Sequence, residues 1–210
     1  MAVVTTRKYE QRLRAEAAEE TRRRILDAVY QRLDEAPSEP VSVDSVARTA
    51  EVARSTVYLV FGSRTGLFGA LGADLLERGG FERILRAIAN PDPRASLREG
   101  ISGVVEMNAA NRNVLRALHS MAQLDAEAVG GVVRQMEESR ASGMADIARR
   151  LAARGALRPG VDPAAAADLL WVLTSFECFD LLYTGRSRPV ADIVATLTSA
   201  AETALLTERA

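Results

Sequence analysis

The 210-residue sequence holds a single cysteine, Cys178, and a single histidine, His119. A lone cysteine excludes an internal disulfide framework and fits a reducing, cytoplasmic setting. One histidine and one cysteine set far apart offer no zinc spacing, and no Gly-rich phosphate loop or GxSxG elbow occurs. No enzyme chemistry, metal or cofactor is therefore expected. Aromatic residues make up only 5% of the chain, while alanine, leucine, arginine and glutamate dominate, a mixture that favours helix over sheet. No apolar run approaches the roughly 20 residues that span a bilayer. The longest, Ala164 to Tyr183, is interrupted by Asp168, Glu177 and Asp180 and reads as a buried helix, so no membrane partner is expected. The first two dozen residues lack the apolar stretch of a signal peptide.

What remains is the balance of a globular protein, 48% hydrophobic and 26% charged, long enough for one or two domains. The net charge of −1 argues against a chain coated in nucleic acid, but the local distribution is uneven. Arg7, Lys8, Arg12, Arg14, Arg22, Arg23 and Arg24 crowd the N-terminus. A basic head on a mildly acidic body fits a protein that touches DNA at one end; a solvated tail and helix face is the alternative that charge alone leaves open.

Helical periodicity runs through nearly the whole chain, and no strand alternation emerges. A first helix is expected over about Glu10 to Glu35, stopped by Pro37 and Pro40. Val43, Val46, Ala47 and Ala50 then fall at i, i+3, i+4 and i+7, with Ser42 placed to cap the turn and Asp44 at the positive helix end. A second short helix spans roughly Arg54 to Val60, and Ser63 can cap the next, which bears Leu67, Phe68, Leu71, Leu75 and Leu76. Further helices are expected over Arg94 to Ala110, Arg112 to Leu124, Asp125 to Arg154, Pro163 to Tyr183, and from Pro189 onward. Gly79-Gly80 and Asn90-Pro91-Asp92-Pro93 punctuate the stretch between them.

Segments of seven or eight residues are too short to be stable alone. Two of them in succession, with Val52 in the turn, point to a helix-turn-helix braced by the first helix. Such a unit lays its second helix in the DNA major groove. At this point the residues resemble a known signature. VSVDSVARTAEVARSTVYLVFGSRTGLFGAL, residues 41–71, is similar to the N-terminal motif of the TetR (tetracycline-repressor) family of regulators, with Val46, Ala47, Ala50, Val52, Thr56, Tyr58, Phe61, Arg64 and Leu67 in register. PGVDPAAAADLLWVLTSFECFDLLYTGR, residues 159–186, looks like the family's penultimate helix. Two departures stand out. Glu51 occupies a turn position that is usually glycine in the family, which costs energy at positive φ and sets a carboxylate near phosphates. Thr65 stands where an acid often follows the basic residue opening the next helix, itself here Arg64 rather than lysine.

The expected fold is all-α: a helix-turn-helix DNA-binding domain over residues 1–64, with a basic arm, and a helical-bundle ligand-binding and dimerisation domain over 65–210. Val57 belongs to the inner face, so its neighbours face outward. Arg54 is the candidate for a bidentate guanine contact, Ser55 and Thr56 for bases or phosphates, and Leu59 for a thymine methyl. By resemblance, Ser42, Tyr58 and Arg64 hold phosphates, and the arm residues Arg7, Lys8 and Arg12 reach along the backbone or into the minor groove. For each taken singly, a surface or capping role is the alternative.

Pro163 to Tyr183 is apolar over more than one stripe, through Leu169, Leu170, Val172, Leu173, Phe176, Phe179 and Leu182, and so needs two partners. A second copy is the expected one, with Ala200, Ala201 and Ala204 allowing close approach of the final helices. The resemblance implies the same homodimer, two recognition helices about 34 Å apart on a palindromic double-stranded operator, and a cavity for an unknown small-molecule effector. Its candidate lining is Met107, Leu115, Leu118, His119, Met121, Trp171, Phe176 and Cys178, a mostly apolar set suited to a hydrophobic ligand; ordinary core packing is the competing role. The rival functions are a ligand-independent DNA-binding regulator and a helical protein-interaction module.

Overall fold

The computed structural model describes residues 2–79 and 81–207, with side chains described for residues 9–79 and 82–207. Eleven helices are present among them: α1 (Ala2–Glu35), α2 (Val43–Thr49), α3 (Arg54–Phe61), α4 (Arg64–Arg78), α5 (Phe81–Ala89), α6 (Pro93–Ala110), α7 (Arg112–Leu124), α8 (Gly130–Ala153), α9 (Pro163–Leu173), α10 (Phe176–Tyr183) and α11 (Val190–Leu205). The all-α expectation holds. The sole β feature among the described residues is an isolated bridge between Leu157 and Leu206.

The chain forms two compact units. The first comprises Met1–Asp74 and Arg116–Val132, the second Leu75–Leu115 and Val133–Ala210. In the first, Ile25, Leu26, Val29 and Leu33 of α1 are buried together with Val43, Val46 and Ala47 of α2, Val57 of α3, and Leu67, Phe68 and Leu71 of α4. Burial of each large apolar side chain is worth roughly 1.5–3 kcal/mol. That packing holds two helices which the chain could not sustain in isolation.

In the second unit α6 lies against α5 and α11. Gly103 lets α5 come this close, since a Cβ there would stand 3.0 Å from Ile84, and Gly100 makes room for α8, since a Cβ there would stand 3.1 Å from Ile147. The α5–α6 loop is tied down by Arg150, which donates to the Ile88 carbonyl at 3.3 Å, to Ser96 Oγ at 3.2 Å and to the Asn90 carbonyl. Asp92 and Asp162 cap α6 and α9, each ahead of a proline in the first turn, where proline's missing N–H costs nothing.

Four features differ from the periodic reading. Helix α1 starts at Ala2 rather than near Glu10. Helix α5 fills the stretch that the glycine and proline signals only punctuated. The helix expected from Asp125 starts at Gly130, because Asp125 Oδ1 accepts the Ala128 amide at 3.0 Å and shapes a turn first. The helix expected over Pro163–Tyr183 is two helices. Ser175 accepts the Cys178 amide at 3.1 Å and starts α10 afresh, while Thr174 Oγ1 donates to the Leu170 carbonyl at 2.7 Å and Arg140 donates to the Trp171 carbonyl. A capping serine beside a side chain that satisfies the freed carbonyl makes the break stable.

Candidate nucleic-acid interface

Helix α2 begins with a reciprocal capping box. Ser42 Oγ accepts the Ser45 amide at 3.1 Å, and the Ser42 amide donates to Ser45 Oγ at 3.3 Å. The Ser42 hydroxyl therefore accepts once and keeps its own proton for an outside acceptor. At the far end Val52 N–H donates to the Ala47 carbonyl at 3.0 Å and Glu51 N–H to the Arg48 carbonyl at 3.2 Å. This is a Schellman closure, which needs a left-handed residue just beyond the helix. That residue is Glu51, at φ 53°. The family's usual glycine at this place has a physical reason, and this chain accepts the strain of a side chain instead.

Helix α3 is anchored by Val57 alone among its buried residues. Arg54, Ser55, Tyr58 and Leu59 are exposed, Leu59 at 86%, and Thr56 is half-buried. A large aliphatic side chain held out in water on a short, braced helix has little structural reason to be there. Gly62 ends α3 at φ 73°, and Ser63 Oγ accepts the Gly66 amide at 3.0 Å to open α4. Gly66 is a requirement that periodicity missed. A Cβ there would lie 2.1 Å from the Phe61 carbonyl oxygen, so only glycine lets α4 start so close to the end of α3.

Arg54 is held at its far end. Nη1 donates to both carboxylate oxygens of Asp44, at 3.1 and 3.0 Å, and Nη2 donates to Tyr58 Oη at 3.4 Å. The guanidinium also lies 5.7 Å from the Tyr58 ring centroid. Its pKa is raised above the ordinary arginine value, first by the Tyr58 hydrogen bond and then by the Asp44 charge, so the cation is fixed at any physiological pH.

Arg64 is placed differently. It pairs with Asp125, donates to the Val41 carbonyl at 3.2 Å, and lies 5.0 Å from the Phe68 ring centroid. Its charge is engaged within the first unit instead of facing out, as the phosphate role would require. Arg12 is exposed and paired with Glu16 at 3.3 Å, whereas the side chains of Arg7 and Lys8 lie outside the described residues. Sequence reading missed both carboxylate partners and the seat of Arg22 over the Phe61 ring, 5.0 Å away. Only same-helix spacings of three or four residues mark such pairs in a sequence. These partners come from other helices or turns.

The eight candidate effector residues are divided between the units. Leu118, His119 and Met121 lie in the first; Met107, Leu115, Trp171, Phe176 and Cys178 lie in the second. Leu115, Leu118, Met121 and Phe176 are buried, Met107, His119 and Cys178 are half-buried, and Trp171 is exposed beneath the Arg140 guanidinium at 5.2 Å. Burial, and then the Glu177 charge, push the Cys178 thiol above its ordinary pKa, away from thiolate reactivity. A groove of about 490 Å³ in the second unit is lined by residues of α5, α6 and α11, including Arg83, Arg98, Glu99, Ala195 and Thr198. None of the eight candidates borders it.

The architecture is thus an N-terminal helix-turn-helix on a helical chain. No protein-family model matches the sequence, and no curated protein does. Solved structures match over nearly the full length. NalD of Pseudomonas aeruginosa, the secondary repressor of the MexAB-OprM multidrug efflux pump, is 22% identical at a TM-score of 0.69, covering 92% of this chain and 100% of its own. A TetR transcription regulator of Haloarcula marismortui is 18% identical at a TM-score of 0.71, covering 89% and 99%. A TetR-like regulator of Rhodococcus is 21% identical at 0.63, covering 86% and 93%. The chain has the fold of TetR-family transcriptional regulators. Among its described residues no helix is long and apolar enough to cross a membrane.

Proposed function

We propose that this protein is a ligand-responsive transcriptional regulator that binds double-stranded DNA as a homodimer and acts as a repressor in the cytoplasm, without enzymatic activity. The observation that carries the reading is the outward face of α3. Arg54, Ser55, Tyr58 and Leu59 are exposed on a helix whose one buried residue, Val57, seats it against the unit beneath. Cation, hydroxyls and an exposed aliphatic group on one short helix match phosphates, base edges and thymine methyls. Residues 1–64 are the DNA-binding portion in this reading and 65–210 the effector and dimer portion. Ser42, with its hydroxyl proton unspent, serves a phosphate; Arg64 does so only by exchanging Asp125 for one.

The dimer face is assigned to α9–α11. Trp171, Val172, Leu181 and Tyr183 are exposed there while Leu170, Phe176 and Phe179 are buried on the other side, as a helix with two partners requires. Of the small residues on α11, Ala200 and Ala204 are exposed, and Ala201 is consumed inside the protomer. The effector is a small hydrophobic molecule. It acts by preferring a conformer with the wrong recognition-helix spacing, and a discrimination of ~1–3 kcal/mol between conformers is enough to matter.

The test is titration of labelled duplex from the gene's own upstream region against scrambled duplex, at two salt concentrations. A preference that weakens steeply as salt rises, and that drops by ~10-fold or more on Arg54→Ala, is the expected result. Indifference to every duplex in a genomic pool would move the protein-interaction reading into first place.

A further inference from the structure

The Arg54–Asp44 pair joins the two helices of the helix-turn-helix, from the first turn of α2 to the first residue of α3. Both side chains are more than half exposed, 58% and 53%. An ion pair so hydrated contributes little to stability. It also places a carboxylate on the face that meets phosphates, where a negative charge weakens binding. Neither folding nor affinity accounts for it.

Its geometry accounts for it better. A guanidinium has five N–H donors in a rigid fork. Asp44 engages Nη1 through both oxygens, and Tyr58 engages one hydrogen of Nη2. With Tyr58 on the Nη2 hydrogen that faces Nη1, the Nε hydrogen and the other Nη2 hydrogen are left parallel along one edge of the fork. Two parallel donors match the O6 and N7 acceptors that guanine shows in the major groove. Tyr58, whose ring centroid lies 5.7 Å from the guanidinium and whose hydroxyl accepts from Nη2, is a second point of attachment beside Asp44. Resting on the DNA-binding reading above, we infer that Asp44 is a specificity-determining residue that touches no base itself: it orients Arg54 so that one donor edge is presented to guanine. An arginine set before binding loses less freedom on contact. The same orientation penalises a thymine or cytosine at that position, because the fork cannot swing to another acceptor without leaving Asp44.

The competing account is a decoy, in which Asp44 merely neutralises Arg54 until DNA displaces it. The two differ in what removal of the charge does. Duplexes are selected from a random pool with the wild-type protein, and each selected guanine is replaced in turn. Asp44→Asn keeps the size of the side chain, and its folding is checked by thermal melting. The expected result is higher affinity of Asp44→Asn for scrambled duplex, together with about a fivefold or greater loss of preference for the guanine that Arg54 reads. Arg54→Ala abolishes preference at the same base pair, and Asp44→Asn adds nothing further in that background. A decoy predicts equal tightening on selected and scrambled duplex with the guanine preference intact, and that outcome overturns the inference while leaving the DNA-binding reading in place. A pool that yields no enriched duplex overturns both. In the free protein, the Arg54 Nη resonances should be separate in wild type and averaged in Asp44→Asn; averaged signals in both would show that Asp44 does not restrain the fork.

Discussion

Residues 42–64 and the helices from Pro163 onward solve opposite problems. In the first stretch Val43, Val46, Ala47 and Val57 are turned inward, and what is left outside is hydroxyl, guanidinium, phenol and carboxylate, with Leu59 as the one large aliphatic group among them. In the second, Leu170, Phe176, Phe179, Ile193 and Leu197 fill the interior, yet Trp171, Val172 and Leu181 still face out, Leu181 at 69%. The first surface suits a charged, hydrated partner that must be read by hydrogen bonds. The second suits another protein surface, where burying apolar area is the gain. Two arginines sharpen the contrast. Arg54 and Arg64 each open a helix, but the first is held by a carboxylate in the open, and the second is drawn into its own unit by Asp125 and the Val41 carbonyl. A basic residue at a helix start is therefore not by itself a phosphate ligand; what faces it decides.

The comparison can be broken most severely at the apolar end. Leu181→Glu puts a charge on the exposed face of α10, and the protein should sediment as a monomer. Binding to a palindromic duplex then loses its bivalency and falls by ~10²-fold or more. Sedimentation as an unchanged dimer would sink the assignment of this face. At the polar end, Gly66→Ala drives a methyl into the Phe61 carbonyl. Overpacking of this kind costs about 1–3 kcal/mol, visible as a lowered melting temperature, and the shifted α3 should bind duplex more weakly. If Gly66→Ala melts like wild type, α4 has room to move that the structure does not show. The smallest change runs the other way. Glu51→Gly relieves a left-handed side chain worth ~1–2 kcal/mol and gives back roughly 0.5–1 kcal/mol through glycine's freedom in the unfolded chain. A net gain of about 0–1.5 kcal/mol remains by these two figures. It should come with tighter DNA binding at low salt, because a carboxylate leaves the phosphate side. A destabilised Glu51→Gly protein would mean that the Glu51 side chain makes a favourable contact outweighing the strain.

Much of the fold was legible because helices advertise themselves by period. Ser42, Ser63 and Asp162 cap where they were expected to, and Val43, Val46, Ala47 and Ala50 are all buried. The break at Thr174–Ser175 was not legible, since the apolar period runs through it. It depends on Arg140, more than thirty residues earlier, reaching the Trp171 carbonyl. Helix α5 was hidden by the punctuation on either side of it, Gly79-Gly80 and Asn90-Pro91, which marks where helices stop but not what fits between.

At the candidate interface the sequence alone determined that Ser55 and Leu59 lie on the side of α3 opposite Val57, because the helical period puts residues two before and two after a buried position on the far face. Arg54, three residues before Val57, shares its side by that period and is exposed as the first residue of the helix. The sequence also determined that residue 51 must bend the chain, since two short helices so close in sequence require a tight reversal. Only the tertiary structure decided which carboxylate each arginine meets. Asp44 and Arg54 are ten residues apart, Arg64 and Asp125 sixty-one. Charge pairing across helices is set by where the packed core leaves each side chain, and periodicity within one helix carries no record of that.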